Sequence, residues 1–416
     1  MSLAILEIWV AMQPHRSARL SPRLAFAAVA AVIGLALFAS ATPSALYGVY
    51  AARWHFSTPV LTLVYGVYAA GVLASLLLIG GLSDQVGRRP VLLGSLALLL
   101  AAMVLFALAR SVVWLFAARA LQGVATGAAL GAAGAALLEL HPRGDTRQAA
   151  LVNGAVSNVG IGAGALVSAG IVQFLPDARL LPFVLVVAMI ALVLAAVRAT
   201  PETVIERRRA RLRPQRPGVP RPTRAAFALA ALGVIASWSI GGLYLALGPQ
   251  LAGELMHTHG ELAGGAAVCA LSAPAAISSL LGRELSNRTL TSAGALLLAL
   301  GMALTALSLT AASAAFFLSA AAITGFGFGL AFMGALRHLS AAIPESHRGE
   351  VMSAFYVVAY LAISLPAVAA GFAAPRFGLI DTFQAFSAIV VVLALAVAVG
   401  GLRIRPPRHA CTAEGV

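Results

Sequence analysis

The chain has 416 residues, 61% hydrophobic and only 10% charged, with a net charge of +14 and a mean hydropathy of +0.94. Soluble globular domains carry about 25% charged residues, so this composition excludes a soluble fold and a disordered chain alike, and it describes a polytopic membrane protein. Only two cysteines occur, Cys269 and Cys411, which excludes a disulfide framework or a cysteine-built metal site.

In chain order, residues 1–23 carry three arginines and one apolar run, 3–12, too short to cross a bilayer. They read as a cytoplasmic segment, with 1–11 either an interfacial helix or a stretch before a true start at Met12. A cleaved signal is not expected, because its removal would leave an odd number of spans. Apolar segments then recur at 24–50, 59–80, 90–109, 112–139, 148–173, 180–198, 225–249, 261–282, 289–310, 313–339, 349–373 and 381–402. Each approaches or exceeds the ~20 residues that cross ~30 Å of hydrocarbon. Each must be helical, because unpaired backbone cannot face lipid. Pro43, Pro274 and Pro366 fall inside spans and predict kinks. The expected fold is therefore an all-α membrane protein of twelve transmembrane helices. Residues 199–224 form an Arg- and Pro-rich linker that cannot bury apolar surface. It separates a six-helix bundle, 24–198, from a second, 225–402, and a tail covers 403–416.

All 28 basic residues are arginine, the mark of a GC-rich and bacterial genome. Twenty-three of them fall before the first span, in the even-numbered connections or in the tail, and four (Arg53, Arg110, Arg179, Arg376) on the opposite side. The positive-inside rule then puts both termini in the cytoplasm of a bacterial inner-membrane protein. The surplus charge faces anionic inner-leaflet lipid, so lipid is an expected partner and nucleic acid is not. The halves also look alike. "LSDQ" at 82–85 and "LSNR" at 285–288 both follow the second helix of their half, and Arg147 and Arg348 both stand at the start of the fifth. The expected architecture is two six-helix pseudo-repeats around a central cavity.

The connection "GGLSDQVGRRP" at 80–90 resembles the loop 2–3 signature of the major facilitator superfamily, G-x-L-x-D-x-x-G-R-R/K, at Gly80, Leu82, Asp84, Gly87, Arg88 and Arg89. With twelve spans, a basic central loop and related halves, the resemblance covers essentially the whole chain. It implies that Gly80, Asp84, Gly87, Arg88, Arg89, Glu139 and Arg348 form a latch between the halves on the cytoplasmic side. Asp84 would sit at the N-terminus of helix 11 near Arg348, and Arg88 would pair with Glu139. Helix 4, "RALQGVATGAALGAAGA" at 119–135, is similar to the R-x-x-Q-G helix of superfamily exporters, which implies a coupling or pathway role for Arg119 and Gln122. Arg119 is the one charge well inside a span, where an arginine costs ~2.5–3.5 kcal/mol, so it must face inward and find a partner. Gly123, Gly127 and Gly131 form a separate stripe suited to close helix packing.

The sequence departs from the exporter pattern in two places. No Asp or Glu lies within helix 1 or deep in any other span, so the usual membrane proton acceptor is missing or displaced. Helix 5, "GAVSNVGIGAGALVSAG" at 154–170, lacks the antiporter proline, although Gly160, Gly162 and Gly164 still allow close packing. "PET" at 201–203 and "ELHPRGDTR" at 139–147 lean toward sugar-porter relatives. Polarity and spacing nominate Thr42, Tyr47, Tyr65, Tyr68, Asn153, Asn158, Trp238, Tyr244, Phe328, Tyr356 and Tyr360 as cavity residues. Such a lining suits amphipathic, aromatic or anionic organic solutes. No G-x-S-x-G or HExxH occurs, so an enzyme is not expected. The expectation is a monomeric, alternating-access secondary carrier of small molecules without cofactor, using the proton gradient for efflux. The alternative is a facilitator or proton symporter for a sugar or other small metabolite.

Overall fold

The computed structural model describes residues 20–175, 178–206, 208–210, 214–256, 261–344 and 347–404. The expected helix at 1–11, the start at Met12, Cys411 and most of the tail lie outside the described residues. Among those described, twelve helices are long and apolar enough to span a membrane. They are α1 Pro22–Trp54, α2 Thr58–Ile79, α3 Arg88–Ala107, α4 Val112–Glu139, α5 Thr146–Phe174 and α6 Leu181–Arg198 in the first half. The second half holds α7 Arg221–Ala246, α8 Glu261–Glu284, α9 Asn287–Thr310, α10 Ala314–Ala342, α11 Arg348–Phe377 and α12 Leu379–Leu402.

Local chemistry sets the ends. Ser21 caps α1 through the Leu24 N–H, with Pro22 at the first helical position. Asp145 caps α5, its carboxylate accepting from the Gln148 N–H at 2.9 Å. Ser286 caps α9 through the Thr289 N–H at 3.1 Å. The Pro43 kink is sharper than a bend: α1 is an α-helix over Pro22–Ala41, a 3-10 turn over Thr42–Leu46 and an α-helix again over Tyr47–Trp54. Pro274 and Pro366 stay inside continuous helices. The apolar segment expected at 225–249 ends earlier, at Ala246, and a separate short helix, Gly248–Met256, follows it. The 80–90 connection contains one helical turn, Leu82–Val86. Periodicity shows neither, because both lie at the end of or between uniformly apolar stretches.

Each half is a bundle. In the first, α1 packs on α4, α5 and α6, α2 on α4, and α3 on α4 and α6; the second repeats the scheme with α7 on α10, α11 and α12, α8 on α10, and α9 on α10 and α12. Lipid tails give apolar side chains no reason to leave them, so small residues that permit close approach decide the contacts. The Gly123–Gly127–Gly131 stripe meets α2: a Cβ on Gly123 would lie 3.0 Å from Gly71 Cα, one on Gly127 2.7 Å from Ser75 Cβ, and one on Gly131 3.8 Å from Leu76 Cδ2. On α5, Gly160 and Gly164 meet the α1 backbone at Gly34 and Phe38, while Gly162 faces Ser272 and Cys269 of α8. The halves touch along two seams, α5 against α8 and α2 against α11.

Candidate functional site

Two constellations arise from this packing, one at the arginine-rich face and one in the buried centre. At the face, Gly87 is the N-cap of α3 with φ +111° and ψ 151°, a conformation open essentially to glycine. The Glu202 carboxylate fills the space a side chain would take there. It accepts from the N–H of Arg88 at 2.8 Å and of Arg89 at 3.1 Å. An anion thus sits on the positive end of the α3 dipole. Its own segment is held by the same carboxylate, which accepts from Thr203 N–H at 3.1 Å and Val204 N–H at 3.2 Å.

The Arg88 side chain, 12% exposed, reaches across to α4. It makes an ion pair with Glu139 at 2.9 Å, adds Nε contacts to both Glu139 oxygens at 3.3 and 3.4 Å, donates to Ser83 Oγ at 2.6 Å, and also pairs with Asp84. Thr203 donates to the second Glu139 oxygen. Asp84, Gly87, Arg88, Arg89 and Glu139 therefore converge. Arg348 does not join them: it opens α11, and Asp84 pairs with Arg88 rather than with it. The linker accounts for the difference. Gln215 donates its backbone N–H to Leu77 O at 2.8 Å, its side chain accepts from Ser353 Oγ on α11, and Gly218 N–H donates to Glu350 O at 3.2 Å. A Cβ on Gly80 would lie 3.2 Å from Gln215 Nε2. The linker is thus threaded between the ends of α2 and α11, where Asp84 was expected to meet Arg348. At the other seam the Arg147–Glu284 pair, 3.7 Å, joins α5 to the end of α8.

The centre is built around Arg119, which is fully buried. Its partners come from the break in α1. Proline at 43 has no N–H, so the carbonyl of Ala39 loses its helical donor, and the 3-10 turn releases that of Ser40. Gln122 Nε2 donates to Ala39 O at 2.8 Å, and Arg119 Nη1 donates to Ser40 O at 2.8 Å. Arg119 also donates to Gln122 Oε1 at 2.6 Å and to Tyr47 Oη at 2.5 Å. Its guanidinium carbon lies 5.3 Å from the ring centres of Tyr47 and Tyr68 and 5.7 Å from that of Phe106. Every partner is neutral. No described carboxylate pairs with Arg119, and Nη2 has no hydrogen-bond partner.

The other nominated residues divide. Tyr68 and Tyr360 pack across the α2–α11 seam with Trp238 and Tyr356 beside them. Tyr65 is buried close by, its ring 6.4 Å from that of Tyr68. Trp238 lies edge-on to Tyr360 at 5.3 Å and 5.5 Å from Phe332, which stacks on Phe328 at 6.5 Å. These aromatics fill the centre in this conformation. Tyr244 belongs elsewhere. It is fully buried inside the second half, stacked on Phe317 at 5.7 Å and contacting Thr305 at 3.4 Å. Thr42 is spent on the α1 break, its hydroxyl donating to Phe38 O at 2.9 Å. Asn158 donates to Gly154 O of its own helix at 3.0 Å, and Asn153 accepts from Ser157 one turn on. Sequence reasoning missed the roles of Glu202, Gln215 and the Ala39 and Ser40 carbonyls. Only "PET" and the position of Pro43 signalled any of them.

Two six-helix repeats joined along two seams, with an arginine buried in the first half beside one of them, are the architecture of a secondary transporter. Residues 24–367 match the family model described as Major Facilitator Superfamily, and the chain belongs to that superfamily. No curated protein matches it in sequence. Among solved structures it is similar to a POT family transporter in complex with 5-aminolevulinic acid, at 16% identity and a TM-score of 0.72, covering 91% of this chain and 95% of that one. It is also similar to the human organic anion transporter MFSD10 (TETRAN), at 16% identity and a TM-score of 0.65, covering 91% of this chain and 100% of that one. At this identity the likeness is one of fold.

Proposed function

We propose that the chain carries small organic anions of metabolic size by alternating access, with the arginine-rich face in the cytoplasm and Arg119 as the anion's anchor. The observation that carries this reading is a fully buried guanidinium with only neutral partners and one unpartnered nitrogen. A buried cation without a counter-charge is costly. A carboxylate supplies both the missing charge and the missing acceptor, and bidentate pairing suits a guanidinium. The Gln215 strap and the Arg147–Glu284 pair then hold the cytoplasmic ends of the two halves together while the carrier is closed on that side, and the Asp84–Arg88–Glu139 set braces the 80–90 connection within the first half. The solved structures of similar fold include one named as an organic anion transporter and one holding 5-aminolevulinic acid, a carboxylic acid, which agrees with this substrate class.

Facilitated diffusion or proton symport of a metabolite fits better than proton-coupled drug efflux. The Arg119–Gln122 helix suggested efflux, but no span interior holds a carboxylate to exchange a proton. Facilitated diffusion of an anion that pairs with Arg119 needs none. The test is counterflow in proteoliposomes with radiolabelled benzoate, levulinate, glucose and ethidium. Saturable carboxylate flux, abolished by Arg119→Gln, is expected. Glucose or ethidium flux in its place, or carboxylate flux untouched by Arg119→Gln, refutes the reading.

A further inference from the structure

Among the described residues, Arg119 Nη2 is one of two buried side-chain nitrogens that hold no acceptor and cannot act as one. The other is the indole Nε1 of Trp238. Hydroxyls left unpaired nearby, such as that of Tyr65, can rotate or accept; a guanidinium and an indole can only donate. The two donors stand on different halves, Arg119 on α4 and Trp238 on α7. One aromatic group connects them. Tyr68 lies under the Arg119 guanidinium at 5.3 Å and shares a buried cluster with Tyr360, on whose ring Trp238 rests edge-on at 5.3 Å. Contacts to Tyr360 and Phe332 hold the indole in place, so its N–H direction is set by packing.

We infer, resting on the organic-anion reading above, that the substrate is bifunctional. Its carboxylate meets Arg119, an apolar or aromatic body lies among Tyr68 and Tyr360, and a second hydrogen-bond acceptor, a carbonyl or second carboxylate, meets Trp238. A buried donor rejects an analogue that lacks its acceptor. The arrangement also accounts for coupling between binding and closure. A molecule holding both ends ties the halves together and favours the closed conformation, whereas an acid with one polar end binds one half only.

The test is equilibrium binding to the full chain in nanodiscs by titration calorimetry, with two pairs matched in shape. These are 4-acetylbenzoate against 4-isopropylbenzoate, and levulinate against 4-methylpentanoate; in each the second compound replaces a carbonyl by an apolar branch. Glutarate against 5-methylhexanoate distinguishes a second carboxylate from a carbonyl. In the wild type the acceptor-bearing member of at least one pair binds about fivefold or more tightly. Trp238→Phe keeps a ring on Tyr360 and Phe332 and brings that ratio to about one. Arg119→Gln weakens every acid. A ratio near one in the wild type for both pairs and for glutarate overturns the inference without any variant, and so does a preference that survives Trp238→Phe. If no carboxylate binds the wild type, the organic-anion reading itself fails and this inference with it.

Discussion

Gly87→Ala puts the geometry of the 80–90 connection to a quantitative test. At φ +111° and ψ 151° an alanine is strained by about 1–3 kcal/mol. Its Cβ would lie 2.5 Å from Glu202 Oε2 and 2.9 Å from Cδ, so the carboxylate must withdraw. It then gives up the Arg88 and Arg89 N–H bonds of 2.8 and 3.1 Å, each about 1.5–3 kcal/mol for a charged acceptor. The site is half-buried and water replaces part of that loss, leaving a net cost of about 3–5 kcal/mol. In a Glu202→Ala background only the backbone strain remains, about 1–3 kcal/mol. The cycle should therefore show coupling of about 2 kcal/mol. SDS-titrated unfolding of the four purified proteins in mixed micelles measures it. An unchanged midpoint for Gly87→Ala refutes the strain argument. Equal costs in both backgrounds refute the role given to Glu202.

Asp84→Asn should insert normally and unfold within ~1 kcal/mol of wild type, because its partner contact is on a largely exposed side chain, while counterflow falls at least about tenfold; wild-type flux would refute a transport role for the 80–90 connection. Glu139→Gln should destabilise more than Asp84→Asn, since Arg88 is 12% exposed and meets Glu139 through both Nε and Nη2; melting curves in the reverse order would be inconsistent with the geometry. With Cys269→Ala and Cys411→Ser removing the native thiols, the pair Gln215→Cys and Ser353→Cys should be bridged by a short bis-methanethiosulfonate, because the side chains meet through the length of the glutamine, and the bridge should stop transport until reduced. Full transport by the cross-linked protein would show that the linker need not leave the α2–α11 seam.

Much of this protein was legible in one dimension. Hydrocarbon thickness and the need to satisfy every backbone group convert an apolar run of sufficient length into a helix without help from tertiary contacts, so twelve spans follow from composition and spacing. The sites of close packing on α4 and α5 were equally legible, because glycine at 123, 127 and 131, and at 160 and 164, is small wherever the helix goes. The pairing of Arg88 with Glu139 could be anticipated from a motif. What meets across the bundle could not. Nothing local distinguishes Tyr244, packed inside one half, from Tyr360 at the seam: both are tyrosines in apolar helices. Asn158 turns back on its own helix for the same want of a local signal. Gln215 is one polar residue among prolines and arginines until the fold lays it between Leu77 and Ser353, displacing the expected meeting of Asp84 with Arg348. Arg119 is the clearest case. Its sequence position dictates that a buried charge must be answered. That the answer comes from two carbonyls freed by a proline on another helix, and leaves one nitrogen open, was decided only by how α1 and α4 pack.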